Sequence, residues 1–295
     1  MEPRIVADTR LECGEGTLWH EGEQKLYWLD IPKGSIYRYD PRDGSHERVY
    51  NGEVIGGFTI QADGSLLLFM AKGAVRTWKQ GELSTVIGEI PEERDARFND
   101  VIADPEGRVF CGTMSTSTPR RPGRLYLLER DGRITRLLEG IGISNGMGFT
   151  PDLKRLYYTD SSKGEIYVFD YERSSGAIRN RRVLIRVPAS EGEPDGLTVD
   201  AEGFIWSARW NGSCIVRFSP EGQEVLRVKL PARKVSCLTF GGRDHKDIYI
   251  STAGGDKREE EGPGAGALFC VNLGIPGRAE FASRILCRGV EENRR

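Results

Sequence analysis

Thr198–Trp210 reads TVDAEGFIWSARW. An apolar–polar alternation runs into an Asp-Ala-Glu-Gly turn, and aromatic and β-branched residues follow at period two, the pattern of one strand turning into another. The same pattern stands in Leu18–Asp30 (LWHEGEQKLYWLD), Thr59–Ala71 (TIQADGSLLLFMA) and Ile102–Met114 (IADPEGRVFCGTM). It returns in Phe149–Ser161 (FTPDLKRLYYTDS) and Thr239–Ser251 (TFGGRDHKDIYIS). A small or glycine-containing turn and a further strand come next, as in Gly34–Pro41 (GSIYRYDP) and Gly164–Tyr171 (GEIYVFDY). Successive anchor turns lie about 42–50 residues apart, the length of a four-stranded propeller blade.

No window of a dozen residues carries helical apolar spacing, while strand alternation recurs throughout, with 37 glycines available for turns. A β-sandwich with chance spacing is the competing architecture, and six aligned units argue against it. The expected fold is therefore all-β: a six-bladed β-propeller of four-stranded antiparallel blades around a central channel, one domain over residues 1–295. The ring is expected to close by pairing of Arg4–Arg10 (RIVADTR) with the last blade near Ala282–Cys287 (ASRILC).

Composition narrows the function. A chain of 295 residues can bury a core without disulfides. A formal net charge of -2 gives no electrostatic ground for nucleic acid or an anionic membrane as partner. No apolar run approaches the roughly 20 residues needed to span a bilayer. The N-terminal residues lack a basic stretch followed by an apolar one, so a cytoplasmic location is expected, with Arg288–Arg295 as a solvated tail. Cys13, Cys111, Cys214, Cys237, Cys270 and Cys287 form no CxxC pair, and His20, His46 and His245 sit beside turn residues. That scatter argues against structural zinc, a redox dithiol or a nucleophile–histidine triad. Most of the cysteines read as core residues; Cys13 and Cys237 lie beside the motifs described next.

The position some eight residues ahead of each anchor turn repeats a theme. It is Glu15 in GEGTLWH, offset by about one residue, Gly56 in IGGFTI, Asn99 in RFNDV, Asn145 in SNGMG, Asp195 in EPDG, and Ser236 beside Cys237 in VSCLTF. Equivalent positions in different blades share radius and depth, so this register brings Glu15, Asn99, Asn145 and Asp195 together near one end of the axis. Each Asp-Gly or Asn-Gly taken alone is ordinary turn chemistry. As a ring, two inward carboxylates and two carboxamides are costly to desolvate unless a cation neutralises them. One divalent ion is expected, Ca²⁺, Mn²⁺, Mg²⁺ or Zn²⁺, the all-oxygen donors favouring the hard ions. The glycines after Asn145 and Asp195 suit a close approach, and Gly56 is expected to leave a gap in the wall of the ring.

These residues make the chain resemble the regucalcin/gluconolactonase family, through GEGTLWH with Glu15, RFNDV with Arg97 and Asn99, SNG with Asn145 and PDG with Asp195. The resemblance spans nearly the whole chain, including LYWLDI early and CLTFGG late. It implies a six-bladed propeller that hydrolyses a small-molecule sugar lactone with one divalent metal, held by Glu15, Asn145 and Asp195. It implies further that Arg97 and Asn99 bind substrate, and that water attacks a metal-polarised carbonyl with Asp195 as general base. The alternative for Arg97 is a surface pair with Asp95 or Asp100. Thr17 and Val101 depart from the family's usual Pro and Gly without removing a donor. Substrate preference is expected to depend on the loop after Met114, where Ser115, Thr116, Ser117, Arg120 and Arg121 replace an acidic contact of some relatives. Trp210 is expected near the channel mouth, and the charged run Gly254–Gly264 as a solvated loop, a cap over the entrance being its alternative. A phosphotriesterase-like hydrolase on the same ring and a non-catalytic calcium- or partner-binding propeller are the rival readings.

Overall fold

The computed structural model describes residues 2–117 and 121–286, so Arg120, Cys287 and the Arg288–Arg295 tail lie outside the described residues. The alternating stretches form six four-stranded sheets, each a meander of antiparallel neighbours, arranged as a six-bladed β-propeller. The innermost strands of blades 1 to 6 are Gly14–His20, Ile55–Ile60, Ala96–Ala103, Ser144–Phe149, Glu193–Val199 and Val235–Gly241. Helix among the described residues is limited to four short 3-10 turns.

Each interface between neighbouring blades holds one apolar cluster. Tyr27 and Leu29 of blade 1 meet Phe58 and Leu68 of blade 2, and Trp206 and Ala208 of blade 5 meet Phe240 and Phe269 of blade 6. A blade's middle strands are therefore covered on both faces, which is why Leu66–Met70 (LLLFM) is apolar throughout and buried at every residue. Outer strands such as Glu82–Ile87 are mostly exposed and carry the polar residues.

Blade 6 is completed by the N-terminus, as expected, but through a different partner. Arg4–Ala7 pairs antiparallel with Leu268–Asn272, not with Ala282–Cys287. Residues 276–286 instead run as a strap across the end of the channel where the innermost strands finish. Its backbone bonds Ala201 of blade 5, Ile60 and Ala62 of blade 2 and Gly107 of blade 3. Ser283 bridges Gln61 there, and Ile285 is buried. The strap can do this because Gln61 clasps the Ile285 backbone in both directions, donating from Nε2 and accepting at Oε1.

Candidate metal and substrate centre

All six innermost strands carry an irregularity of register at the same place. The pairing slips between Glu15 and Leu18, Ile55 and Gly57, Phe98 and Val101, Asn145 and Met147, Pro194 and Leu197, and Val235 and Cys237. A bulge frees a residue from its ladder and re-aims its side chain. Glu15, Asn99, Asn145 and Asp195 sit at these bulges, and each is only 5% exposed. The structure thus brings the four sequence-predicted donors, with Arg97, to the wall of one cavity of about 280 Å³.

The segments that lead into these strands are clamped from behind. The Asp30 carboxylate accepts the N–H groups of Glu12 and Cys13 at 3.1 and 3.0 Å. Asp160 does the same in blade 4 for Gly142 and Ile143, at 3.2 and 3.3 Å. Asn145 is oriented further by its Nδ2, which donates to Ser161 Oγ at 2.8 Å, while that hydroxyl donates to the Pro194 carbonyl at 2.6 Å. One serine therefore ties the Asn145 carboxamide to the strand that carries Asp195. Asn99 Nδ2 donates to Asn145 Oδ1 at 2.9 Å and to the Ser144 carbonyl at 2.7 Å. Arg97 donates to Asn99 Oδ1 at 2.5 Å and to the Phe98 carbonyl at 2.9 Å. Its guanidinium faces the cavity; Asp95 pairs with Arg121 instead.

The electrostatics are unbalanced. Burial pushes the Glu15 carboxyl well above its ordinary range, reinforced by Asp100, and the Gly16 N–H offsets part of that. Burial likewise raises Asp195, with Glu15 and Asp100 adding repulsion. Arg97, among the described residues the one cation lining the cavity, spends its hydrogen bonds on Asn99 and a carbonyl rather than on either carboxylate. Desolvation lowers its own pKa against the pull of the surrounding acids. Two buried carboxylates that form no ion pair among the described residues, flanked by carboxamide oxygens, fit a hard divalent ion by their chemistry. Among the described residues no three His, Cys, Asp or Glu side chains are placed so as to hold a metal ion by themselves. A cation held here would therefore rely on Asn145 and on water beside the two acids.

Two expectations need correction. Gly56 leaves no gap: a Cβ built there would lie 1.7 Å from the Phe98 carbonyl oxygen, because the neighbouring strand fills the space. Gly146 and Gly196 follow the same rule, their missing side chains making room for Leu197 N at 2.1 Å and Cys237 Cα at 2.7 Å. Of the loop after Met114, the described residues Ser115, Thr116, Ser117 and Arg121 do not line the cavity. Arg121 is bound to Asp95 and to buried Glu93, Thr116 bonds the Asp95 carbonyl, and Ser115 bonds Ser117. The charged run is only partly solvated: Asp256, Lys257, Glu259 and Glu260 are exposed, whereas Glu261 is buried against Arg233 and Lys234.

Residues not singled out in the sequence complete the cavity. Ser161 and Ile31 open the same turn in blades 4 and 1, and the shared Asp-x-x-Lys-Gly of DSSKG and DIPKG marks both. Met114 and Ile143 supply apolar wall, and Trp210 and Cys13, both noted in the sequence, line the cavity with them. One residue further along the strands, Asp100 faces a second, smaller chamber of about 70 Å³ with Thr17 and Cys237, which Glu280 and Phe281 of the strap close. Burial, partly offset by Arg97, pushes the Asp100 carboxyl up to about 7.

The chain belongs to the SMP-30/gluconolactonase/LRE-like family, which matches residues 13–254. It is 45% identical to the pentonolactonase XacC of Haloferax volcanii over 289 residues, covering 95% of this chain and 97% of that protein. It is 32% identical to regucalcin of Xenopus laevis, covering 94% and 96% of the two chains. The solved calcium-binding regucalcin of Agrobacterium tumefaciens shares the fold with a TM-score of 0.89 at 23% identity, over 96% of this chain and 97% of that one. No helix of the described residues is long and apolar enough to cross a membrane.

Proposed function

We propose that this chain is a divalent-metal-dependent lactonase that opens sugar lactones, five-carbon aldonolactones foremost, with the ion held by Glu15, Asn145 and Asp195. The observation that carries the reading is the meeting of Glu15 and Asp195, both buried and in no ion pair among the described residues, in a cavity that also holds Arg97 and Asn99. The name of the 45% identical relative, a pentonolactonase, supports the choice of substrate. When bound, the ion neutralises the two carboxylates and supplies Lewis acidity for the lactone carbonyl.

The side chains do the rest. Asp195 takes a proton from the attacking water as the new C–O bond forms, and a proton passes to the ring oxygen as its bond to the carbonyl carbon breaks. The product is the open-chain aldonic acid. Arg97 and Asn99, locked together by their hydrogen bond, orient the lactone through its hydroxyls or ring oxygen. Ser161 orients the Asn145 donor and ties it to the strand of blade 5 that carries Asp195.

The test is turnover of a panel of aldonolactones and an aryl phosphotriester, before and after a chelator and after adding back single divalent ions. Lactone hydrolysis that vanishes in chelator and returns with an ion is the expected result. Preference for the phosphotriester, or ion binding without turnover of any ester, overturns it in favour of the two rival readings.

A further inference from the structure

We infer that Trp210 is a specificity-determining wall of the cavity against which the carbon face of the lactone ring packs, held in place by Lys234 and Glu261; this rests on the lactonase reading above. Trp210 ends the second strand of blade 5, where it pairs with Glu193, two residues before Asp195. It lines the same cavity as Glu15, Asn99 and Asp195. Trp28 and Trp206 are fully buried in blade core, whereas Trp210 stays partly open.

The indole ring has a charged neighbour that is itself anchored. Lys234 Nζ lies 5.4 Å from the indole centroid, and Lys234 is not among the residues lining the cavity. That ammonium is held by Glu261 at 2.8 Å, and the other Glu261 oxygen takes Arg233 Nε at 2.9 Å. The Arg233 N–H also donates to the Glu261 carbonyl at 2.8 Å, so the acidic loop is stitched to the blade 5–blade 6 connection. The one buried acid of the charged run thus fixes a lysine, and the lysine fixes an aromatic ring at the substrate space.

The chemistry of the two sides matches a sugar lactone. Glu15, Asn99, Asn145, Asp195 and Arg97 supply polar lining, to which carbonyl and hydroxyl oxygens are suited. Trp210, with Ile31, Met114 and Ile143, offers apolar surface opposite in kind, suited to the C–H face of a furanose or pyranose ring. An aromatic ring already locked by its neighbours loses little freedom on binding, which favours it as a platform.

The experiment compares wild type with Trp210→Ala, Trp210→Phe and Glu261→Gln on one aldonolactone. Trp210→Ala is expected to raise KM about tenfold with kcat within about threefold, Trp210→Phe to recover most of that, and Glu261→Gln to raise KM about threefold. The rise in melting temperature on adding the divalent ion should be unchanged in all three, which separates a substrate wall from a damaged fold. Adding the aldonate product should shift tryptophan emission in wild type and shift it less in Trp210→Phe. A Trp210→Ala enzyme with KM within twofold of wild type overturns the inference, as does a Trp210→Phe enzyme no better than Trp210→Ala. Should Trp210→Ala fail to fold, the Phe and Gln variants carry the same decision through KM and emission. A wild-type protein that turns over no lactone removes the lactonase reading, and this inference falls with it.

Discussion

Replacing Gly56 by Ala tests whether converging backbone, rather than side chains, sets the diameter of the ring of donors. The Cβ would lie 1.7 Å from the Phe98 oxygen and 2.4 Å from its carbonyl carbon. Ordinary contact begins near 3.5 Å, so one of the two inner strands must move by about 1.5 Å or more. Ile55, Phe58 and Phe98 are all buried, so the strands have little room to yield. Overpacking of this kind costs about 3 kcal/mol, near the top of its usual range. For a chain of this size that lowers Tm by about 6–9 °C. Phe98 immediately precedes Asn99, which joins Arg97 to Asn145, so a shift of about 1 Å is expected to lower kcat/KM for a lactone about 100-fold. Gly88→Ala is the control, since nothing lies within 4 Å of its Cβ. The assays are a thermal melt and initial rates of lactone hydrolysis. A Gly56→Ala protein within about 1 °C and twofold of wild type would refute the account of why glycine stands there.

Adding the preferred divalent ion at about 100 times its Kd to chelator-treated protein should stabilise it by about 2.7 kcal/mol, a Tm rise of about 5–8 °C, and Asp195→Asn should abolish both that rise and turnover. Arg97→Met should raise KM for the lactone at least about tenfold while leaving the ion-induced Tm rise in place, as a substrate-binding rather than ion-binding residue would. Glu93→Gln should cost about 3 kcal/mol by urea unfolding, because the buried acid holds Arg121, Arg124 and the Tyr126 hydroxyl together. Asp63 is held down to about 2 by the Ser65 hydroxyl and by Lys79. Its folded pKa lies below the unfolded one, so its small, largely exposed contribution is complete above about pH 4 and lost as pH falls through about 2. Urea midpoints of wild type and Asp63→Asn should therefore differ at neutral pH and converge near pH 2.

The donors are legible in the sequence because repetition converts an offset along the chain into a radius in the fold. Glu15, Asn99, Asn145 and Asp195 share one distance from the anchor turn of their blades, and the shared bulge then turns all four inward. Gly56 shows where that logic stops. Sequence treats a missing side chain as space, yet near the axis the strands converge and backbone takes the space. Ring closure goes astray for a related reason. Leu268–Asn272 and Ala282–Cys287 are both short apolar runs, and only the count of strands in blade 6 separates them. Leu268–Asn272 already holds the third place, so the fourth falls to Arg4–Ala7, leaving Ser283 and Ile285 free to tie blade 2 across the far end.

The cavity wall is harder to read because its residues do not all share the donors' register. Ile31 and Ser161 repeat a turn that can be recognised once two blades are aligned, but Met114 and Trp210 stand at strand ends whose next segments differ in each blade. Trp210 gains its surroundings from Lys234 and from Glu261, 51 residues further along the chain, through a loop that looks like plain solvated charge. On the proposed reading, the repeated register places the groups that do the ester chemistry, and the irregular connections choose which ester fits. Variants at Trp210 or Glu261 should accordingly change the ranking of lactones, whereas variants at Glu15 or Asp195 should remove activity on all of them alike, and rates on pentono- and hexonolactones measured side by side distinguish the two patterns.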